Sequence, residues 1–201
     1  MHPDGEIIVG IDVGTTKVAT VVGLKRSGEV EVIGLGLSTS EGLRKGTVVN
    51  VEKTVESIRT SVREAEQSAG VNIKSAIVSL SGEHIKSFDS HAVEQVKNPQ
   101  EVVEEDIYRV LEKAKSVELP HGREILHVLT QEFIVDENEG IKDPRGMTGY
   151  RLEAKVHIIT NAIQSAENLI RCVEKGGISV EDTVFSGLAS AEAVVTPEEK
   201  E

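Results

Sequence analysis

Short apolar blocks dominate the first forty positions, and the chain then changes to a helical period. Ile7–Asp12 is an apolar run ending in a carboxylate, Lys17–Leu24 is rich in β-branched residues, and Val30–Leu37 alternates. Val13-Gly14-Thr15-Thr16 and Arg26-Ser27-Gly28 are turn sequences, so three consecutive strands are predicted. Glu41–Gly46 reads as a glycine-bracketed loop carrying Arg44 and Lys45. Val51, Val55, Ile58, Val62, Ala65 and Ala69 then recur at three- and four-residue steps, which predicts a helix over 51–69 with Asn50 as N-cap and Gly70 as its stop. Ser75–Leu80 is a short buried strand.

From His84 the texture changes. Ile85–Val96 reads as an extended segment. Val103, Ile107, Val110, Leu111, Ala114 and Val117 mark a helix that Pro120 and Gly122 end. Ile125–Val135 and Arg151–Ile159 read as strands, with Asp136–Tyr150 a loop between them, so this block is strand, helix, strand, strand. The earlier style then returns. Asn161-Ala162-Ile163-Gln164 resembles a capping box, and Ala162, Ala166, Leu169, Ile170 and Val173 form a stripe ended by Gly176-Gly177. Val180–Phe185 is a strand and Leu188–Val195 a short Ala-rich helix.

With 84–160 set aside, the order is β-β-β-α-β-α-β-α. Three antiparallel strands leading into alternating helix and strand is the layout of a ribonuclease H-like, actin-type α/β subdomain. Two domains are expected: 1–83 with 161–201, and an inserted strand-helix-strand-strand α+β subdomain over 84–160. Thr196-Pro197-Glu198-Glu199 carries a helix start signal with almost no chain after it, which suggests a sequence cut short, in life or by design.

Composition narrows the classes. The 201 residues are enough for a sizeable core, and 28 Val and 17 Ile against 12 Leu favour buried strands over a helical bundle. Twenty-two basic against 34 acidic side chains leave a formal charge of −12, which disfavours nucleic acid and anionic membrane as direct partners. Aromatics are 2% with no Trp, little material for stacking bases. The single Cys172 excludes an intramolecular disulfide framework and a multi-thiolate zinc site, and reads as a packing residue. No run approaches the roughly 18 to 20 apolar residues of a membrane span, and the N-terminus lacks a signal-like pattern. The expected compartment is reducing.

The sharpest chemical signal is Gly10-Ile11-Asp12-Val13-Gly14-Thr15-Thr16-Lys17. A strand delivers the Asp12 carboxylate, and a glycine turn brings backbone N–H groups, two hydroxyls and an ammonium to one spot. That grouping suits the terminal phosphates of a nucleotide, with Asp12 serving Mg²⁺ directly or through water. A plain hairpin, with Asp12 accepting turn N–H bonds, is the competing reading. The segment is neither a Walker loop nor a GxGxxG fingerprint.

Further motifs resemble the FtsA family of actin-like bacterial cell-division proteins, from about Ile7 to the last residue. They are Gly42-Leu-Arg-Lys-Gly-Thr-Val-Val-Asn50, Ser81-Gly-Glu-His-Ile85, Leu126-His-Val-Leu-Thr-Gln-Glu-Phe133, and Gly140-Ile-Lys-Asp-Pro-Arg-Gly-Met-Thr-Gly-Tyr-Arg-Leu-Glu153. Pilus-assembly actin relatives, the alternative, share only the first hairpin. The resemblance implies ATP and Mg²⁺ as ligands of the full-length family, with weak ATPase activity, and a phosphate-binding half-site at Asp12, Gly14, Thr15, Thr16 and Lys17. It implies contacts of the 84–160 insert with other divisome proteins and with a neighbouring subunit. It also implies a cytoplasmic location, peripheral to the inner face of the cell membrane at the division site. FtsZ and membrane would be engaged through segments outside these 201 residues, as would the second phosphate-binding segment. This chain alone is therefore expected to bind ATP weakly or not at all and not to hydrolyse it. An apolar face left near the Ala-rich helix is expected to drive self-association. A nucleotide-switched ATPase, active in the full-length form, is the second reading.

The remaining polar residues take plainer expectations. Arg44 and Lys45 read as a solvated turn, His127 and His157 as structural rather than zinc ligands, and Glu101–Asp106 as acids complementing a helix N-terminus. Met147 and Tyr150 in the Asp136–Tyr150 loop are expected to form a contact surface, or else to be disordered.

Overall fold

A computed structural model describes residues 5–196 and 199. The opening strands are β1 (Glu6–Val13), β2 (Lys17–Arg26) and β3 (Glu29–Thr39), antiparallel neighbours in that order. Glu41–Gly46 is more than a loop: β4 (Leu43–Arg44) and β5 (Thr47–Val48) pair across Lys45 and Gly46, both at positive φ. α1 (Val51–Ala69) begins where Asn50 Oδ1 accepts the Lys53 N–H at 3.0 Å and ends at left-handed Gly70. β6 (Ser75–Leu80) then runs parallel to β1. Next come β7 (Lys86–Gln95), α2 (Glu104–Lys115), β8 (Arg123–Val135), β9 (Asn138–Ile141) and β10 (Arg151–Ala162). α3 (Ile163–Gly176), β11 (Ser179–Phe185) and α4 (Ser186–Val194) complete the chain. Lys86–Asn161 forms one compact unit, and the described residues on either side of it in sequence form the other.

The flanking unit is a five-stranded sheet in the order β11-β6-β1-β2-β3. α1 and α3 cover one face, burying Val55, Ile58, Val62, Ala65, Leu169 and Val173 against Val9, Ile11, Val18, Val22, Ala76 and Val78. Each Val, Leu or Ile among them contributes about 1.5–3 kcal/mol. α1 sits unusually close to β3. A Cβ on Gly36 would lie 1.9 Å from the Ser61 carbonyl oxygen, and one on Gly34 2.5 Å from Ala69 Cβ. The outer edge of β3 is sealed by α1: the Leu37 N–H donates to Glu64 at 2.8 Å and the Leu35 N–H to Ser68 at 3.5 Å. On the other face α4 packs against β11 and β6, and none of its residues is buried. An apolar cavity of about 320 Å³ there is lined by Ile8, Val21, Ile77, Val184 and Ala189, among others.

The inserted unit is a four-stranded sheet, β7-β10-β8-β9, with α2 against β7. Leu152, Ala154, Val156 and Ile158 of β10 meet Ile107, Val110 and Ala114 of α2 in its core. The acidic start of α2 has a definite use. Asp106 is 1% exposed, and its carboxylate accepts the Val103 N–H at 3.1 Å, the Lys97 N–H at 3.3 Å and Arg109 at 2.8 Å. Burial pushes its pKa up, but these donors together outweigh burial and hold it below the ordinary value. Carbonyls on β7 are met by α2 cations, Val93 by Lys113 and Gln95 by Arg109, both at 2.8 Å. The opposite strand face is polar: His91 pairs with Glu153 at 2.6 Å, His157 with Asp89 at 2.7 Å, and Lys155 with Glu132 at 2.7 Å.

Three further expectations change. Asp136–Tyr150 contains β9, because Asp136 turns the chain at φ 57 and β8 continues into a hairpin. That segment is tied down, with Gly146 and Gly149 N–H groups bonded to Val102 and Pro99 and the Asp136 carboxylate accepting the Tyr150 and Arg151 N–H groups. Met147 packs on the core, which leaves Tyr150, 72% exposed, as the projecting side chain. The third change is at Asn161, which does not cap α3. β10 runs through it to Ala162, and Asn161 instead donates to Glu124 at 3.1 Å. Thr196 does accept the expected start geometry, its N–H and hydroxyl bonding Glu199, while Pro197 and Glu198 lie outside the described residues.

Candidate functional site

Period-two alternation decides which side chains reach the less covered sheet face. On β1, Val9, Ile11 and Val13 are buried toward α1 and α3, so Ile8, Gly10 and Asp12 point the other way. On β6, Ala76, Val78 and Leu80 take the helix side, leaving Ile77 and Ser79 on Asp12's side. The parallel register places Gly10 beside Ile77 and Asp12 beside Ser79. The Ser79 hydroxyl donates to Asp12 Oδ1.

These two residues floor a cleft of about 410 Å³ at the carboxyl ends of β1 and β6, where ligands of open α/β sheets bind. Ser81 just beyond β6, and Ser186, Ser190 and two alanines of α4, form the rest of its lining. Since Ser186 opens α4, the unpaired N–H groups of that helix's first turn lie at the same end. Sequence reasoning missed Ser79, Ser81, Ser186 and Ser190 as site residues. The available signal was positional for three of them, Ser79 near the end of a strand and Ser81 and Ser186 just after one, while Ser190 lies one helical turn further along α4.

Of the residues singled out at the first hairpin, the structure places Asp12 in the cleft. Gly14, Thr15, Thr16 and Lys17 form the adjoining turn, closed by the Gly14 N–H donating to the Lys17 carbonyl at 3.0 Å. Thr15, Thr16 and Lys17 are exposed, and no side-chain hydrogen bond engages them among the described residues. The β4–β5 hairpin buttresses the same end: a Cβ on Gly46 would lie 2.0 Å from the Ser81 carbonyl oxygen. Arg44 and Lys45 themselves are exposed outside the cleft, with Lys45 paired to Glu83 at 2.7 Å. Cys172 is fully buried in α3 and burial pushes its thiol pKa up, as befits a packing residue.

The residues present fit a hydrated magnesium ion carrying phosphates. Among the described residues Asp12 keeps Oδ2 free of hydrogen bonds while Ser79 fixes Oδ1, so one hard oxygen is oriented and available. The hydroxyls of Ser81, Ser186 and Ser190 and the nearby Lys17 ammonium supply donors to an anion.

Comparisons with known proteins agree with this architecture. A family model described as "SHS2 domain inserted in FTSA" matches residues 82–160. Over 198 residues the chain is 45% identical to the cell division protein FtsA of Pseudomonas aeruginosa, covering 98% of this chain and 47% of that protein. Identity to FtsA of Escherichia coli is 38% over 199 residues, again 98% and 47% of the two chains. The chain thus spans about half the length of the curated relatives it matches. Among solved structures, the PilM-PilN type IV pilus biogenesis complex superposes with a TM-score of 0.62 over 92% of this chain and 49% of that one, at 12% identity. That likeness is one of fold alone, and the fold is of the actin type with a unit of four strands and one helix inserted.

Proposed function

Because this chain belongs to the FtsA family of cell-division proteins over the half of their length that it spans, we propose that it carries one wall of a magnesium–nucleotide site and works in divisome assembly. Asp12 would hold the ion directly or through water, with Ser79 orienting its carboxylate. Gly14–Lys17, Ser81 and the serines of α4 would receive phosphate oxygens. The bound ion would neutralise phosphate charge. The observation that supports this reading most is the juxtaposition of Asp12, Ser79, Ser81, Ser186 and Ser190 around one cleft of about 410 Å³. With one wall alone, a nucleotide loses most of its burial, so binding by this chain is weak and hydrolysis absent.

The protein-contact side of the function falls to two surfaces. The inserted unit offers exposed Tyr108 and Tyr150, at 63% and 72%, as anchors for other division proteins or a neighbouring subunit. The apolar sheet face beside α4 offers a surface for self-association. Action at the inner face of the cell membrane, as a peripheral protein, completes the reading. Calorimetric titration with MgATP tests its core, comparing this chain with one extended to the full length of the relatives. Low-micromolar binding by the longer chain, lost in Asp12→Ala, supports the proposal. Equal affinity of both chains would show that the second wall contributes nothing.

A further inference from the structure

A further cavity in the flanking unit, of about 430 Å³, lies where β6 and β11 begin and α1 and α3 finish, the end of the sheet opposite Asp12. Its wall carries three cations, Arg59, Arg63 and Lys74, against one acid, Glu66. Glu66 is already committed: its Oε1 accepts the Ile73 N–H at 2.8 Å and the Asn72 amide at 3.2 Å, closing the turn between α1 and β6. Arg59 is partly committed, donating to the Lys175 carbonyl in the last turn of α3 at 2.7 Å, as a cation at a helix C-terminus should. Arg63 and Lys74 differ. Both are exposed, and neither bonds a carbonyl or a carboxylate among the described residues. The neutralisation of helix ends therefore accounts for Arg59 and leaves these two cations unused.

We propose that this groove binds a short acidic stretch of a partner polypeptide, its carboxylates meeting Arg63 and Lys74. A guanidinium fork takes a carboxylate bidentately, and the neighbouring ammonium accepts a second one without geometric demand. A concavity of this size holds a few side chains rather than a domain surface. The formal charge of −12 repels a polyanion approaching over a wide front, whereas a short peptide meets only the local positive wall. The site is separate from the proposed nucleotide cleft and stands or falls independently of it.

Fluorescence anisotropy of fluorescein-labelled hexaglutamate, titrated with the 201-residue chain at low and near-physiological salt, tests this. Saturable binding that falls tenfold or more in Arg63→Glu/Lys74→Glu is expected, with weakening by salt. Lys25→Glu/Arg44→Glu makes the same charge change on exposed positions elsewhere and should bind within twofold of the parent chain. Both variants replace exposed side chains, and circular dichroism confirms their folding. Absence of saturable binding at low salt, unchanged binding by the groove variant, or an equal loss in the control variant would each overturn the proposal.

Discussion

The two helices that guard sheet edges do so in opposite ways. α1 lies on β3 with backbones almost touching, because Gly34 and Gly36 present no side chain to it. α2 lies on β7 with side chains intact, anchored by buried Asp106, which accepts the Lys97 N–H just past β7, and by cations reaching over the edge. Their chemistry at the edge is complementary. β3 presents N–H groups, which an acid and a hydroxyl of α1 accept; β7 presents carbonyls, which Lys113 and Arg109 of α2 satisfy. Both devices remove a template for unwanted strand pairing. The lesson is that one seat depends on volume and the other on charge, so different substitutions should break them.

The largest effect should come from volume. Gly36→Val forces α1 away from β3, because the added Cβ would meet the Ser61 carbonyl at 1.9 Å, a backbone atom that cannot swing aside. A loss of about 3 kcal/mol is expected, read by urea unfolding of the whole chain. A loss below about 1 kcal/mol would mean that the close seat is not fixed.

Charge comes second. Asp106→Ala leaves Arg109 and the Val103 and Lys97 N–H groups short of their acceptor and should cost about 2–3 kcal/mol. This contribution also has a pH signature. The folded pKa of Asp106 lies below its unfolded value, about 3.9, so its stabilisation is complete well above that value and disappears as pH falls through the folded pKa. Unfolding curves of the parent chain should weaken below about pH 4, and the Asp106→Ala variant should show a shallower acid loss. The smallest effects belong to the edge caps themselves. Glu64→Ala and Lys113→Ala remove exposed partners and should each cost about 0.5–1 kcal/mol, adding independently in thermal melts of the double variant.

These seats also show which features were readable before folding. α1 was legible to the residue because its apolar stripe, Asn50 and Gly70 all point to the same bounds. The sheet strands were legible for the same kind of reason, short β-branched blocks between glycine turns. The closeness of α1 to β3 was not, since Gly34 and Gly36 only acquire meaning once a helix arrives over them. β9 escaped because four residues, Asn-Glu-Gly-Ile, carry too little periodicity, and its pairing depends on the turn at Asp136. Asn161 had the chemistry of a cap, but β10 runs on through it to Ala162 and its side chain is taken by Glu124. At the candidate site, Asp12 stood out because a carboxylate ending an apolar run is followed at once by a glycine turn, two threonines and a lysine. The serines did not, since a lone Ser after a strand is common, and only the register of β1 beside β6 brings Ser79 to Asp12.

The account rests most heavily on the cleft around Asp12, and heteronuclear NMR of the ¹⁵N-labelled chain addresses it residue by residue. Millimolar MgATP should shift amide resonances of Gly14–Lys17, Ser79, Ser81 and Ser186–Ser190, with much smaller shifts when Mg²⁺ is withheld or Asp12 is replaced by Ala. Shifts confined to other regions, or none at these positions at millimolar nucleotide, would contradict the assignment of this cleft as one wall of a nucleotide site.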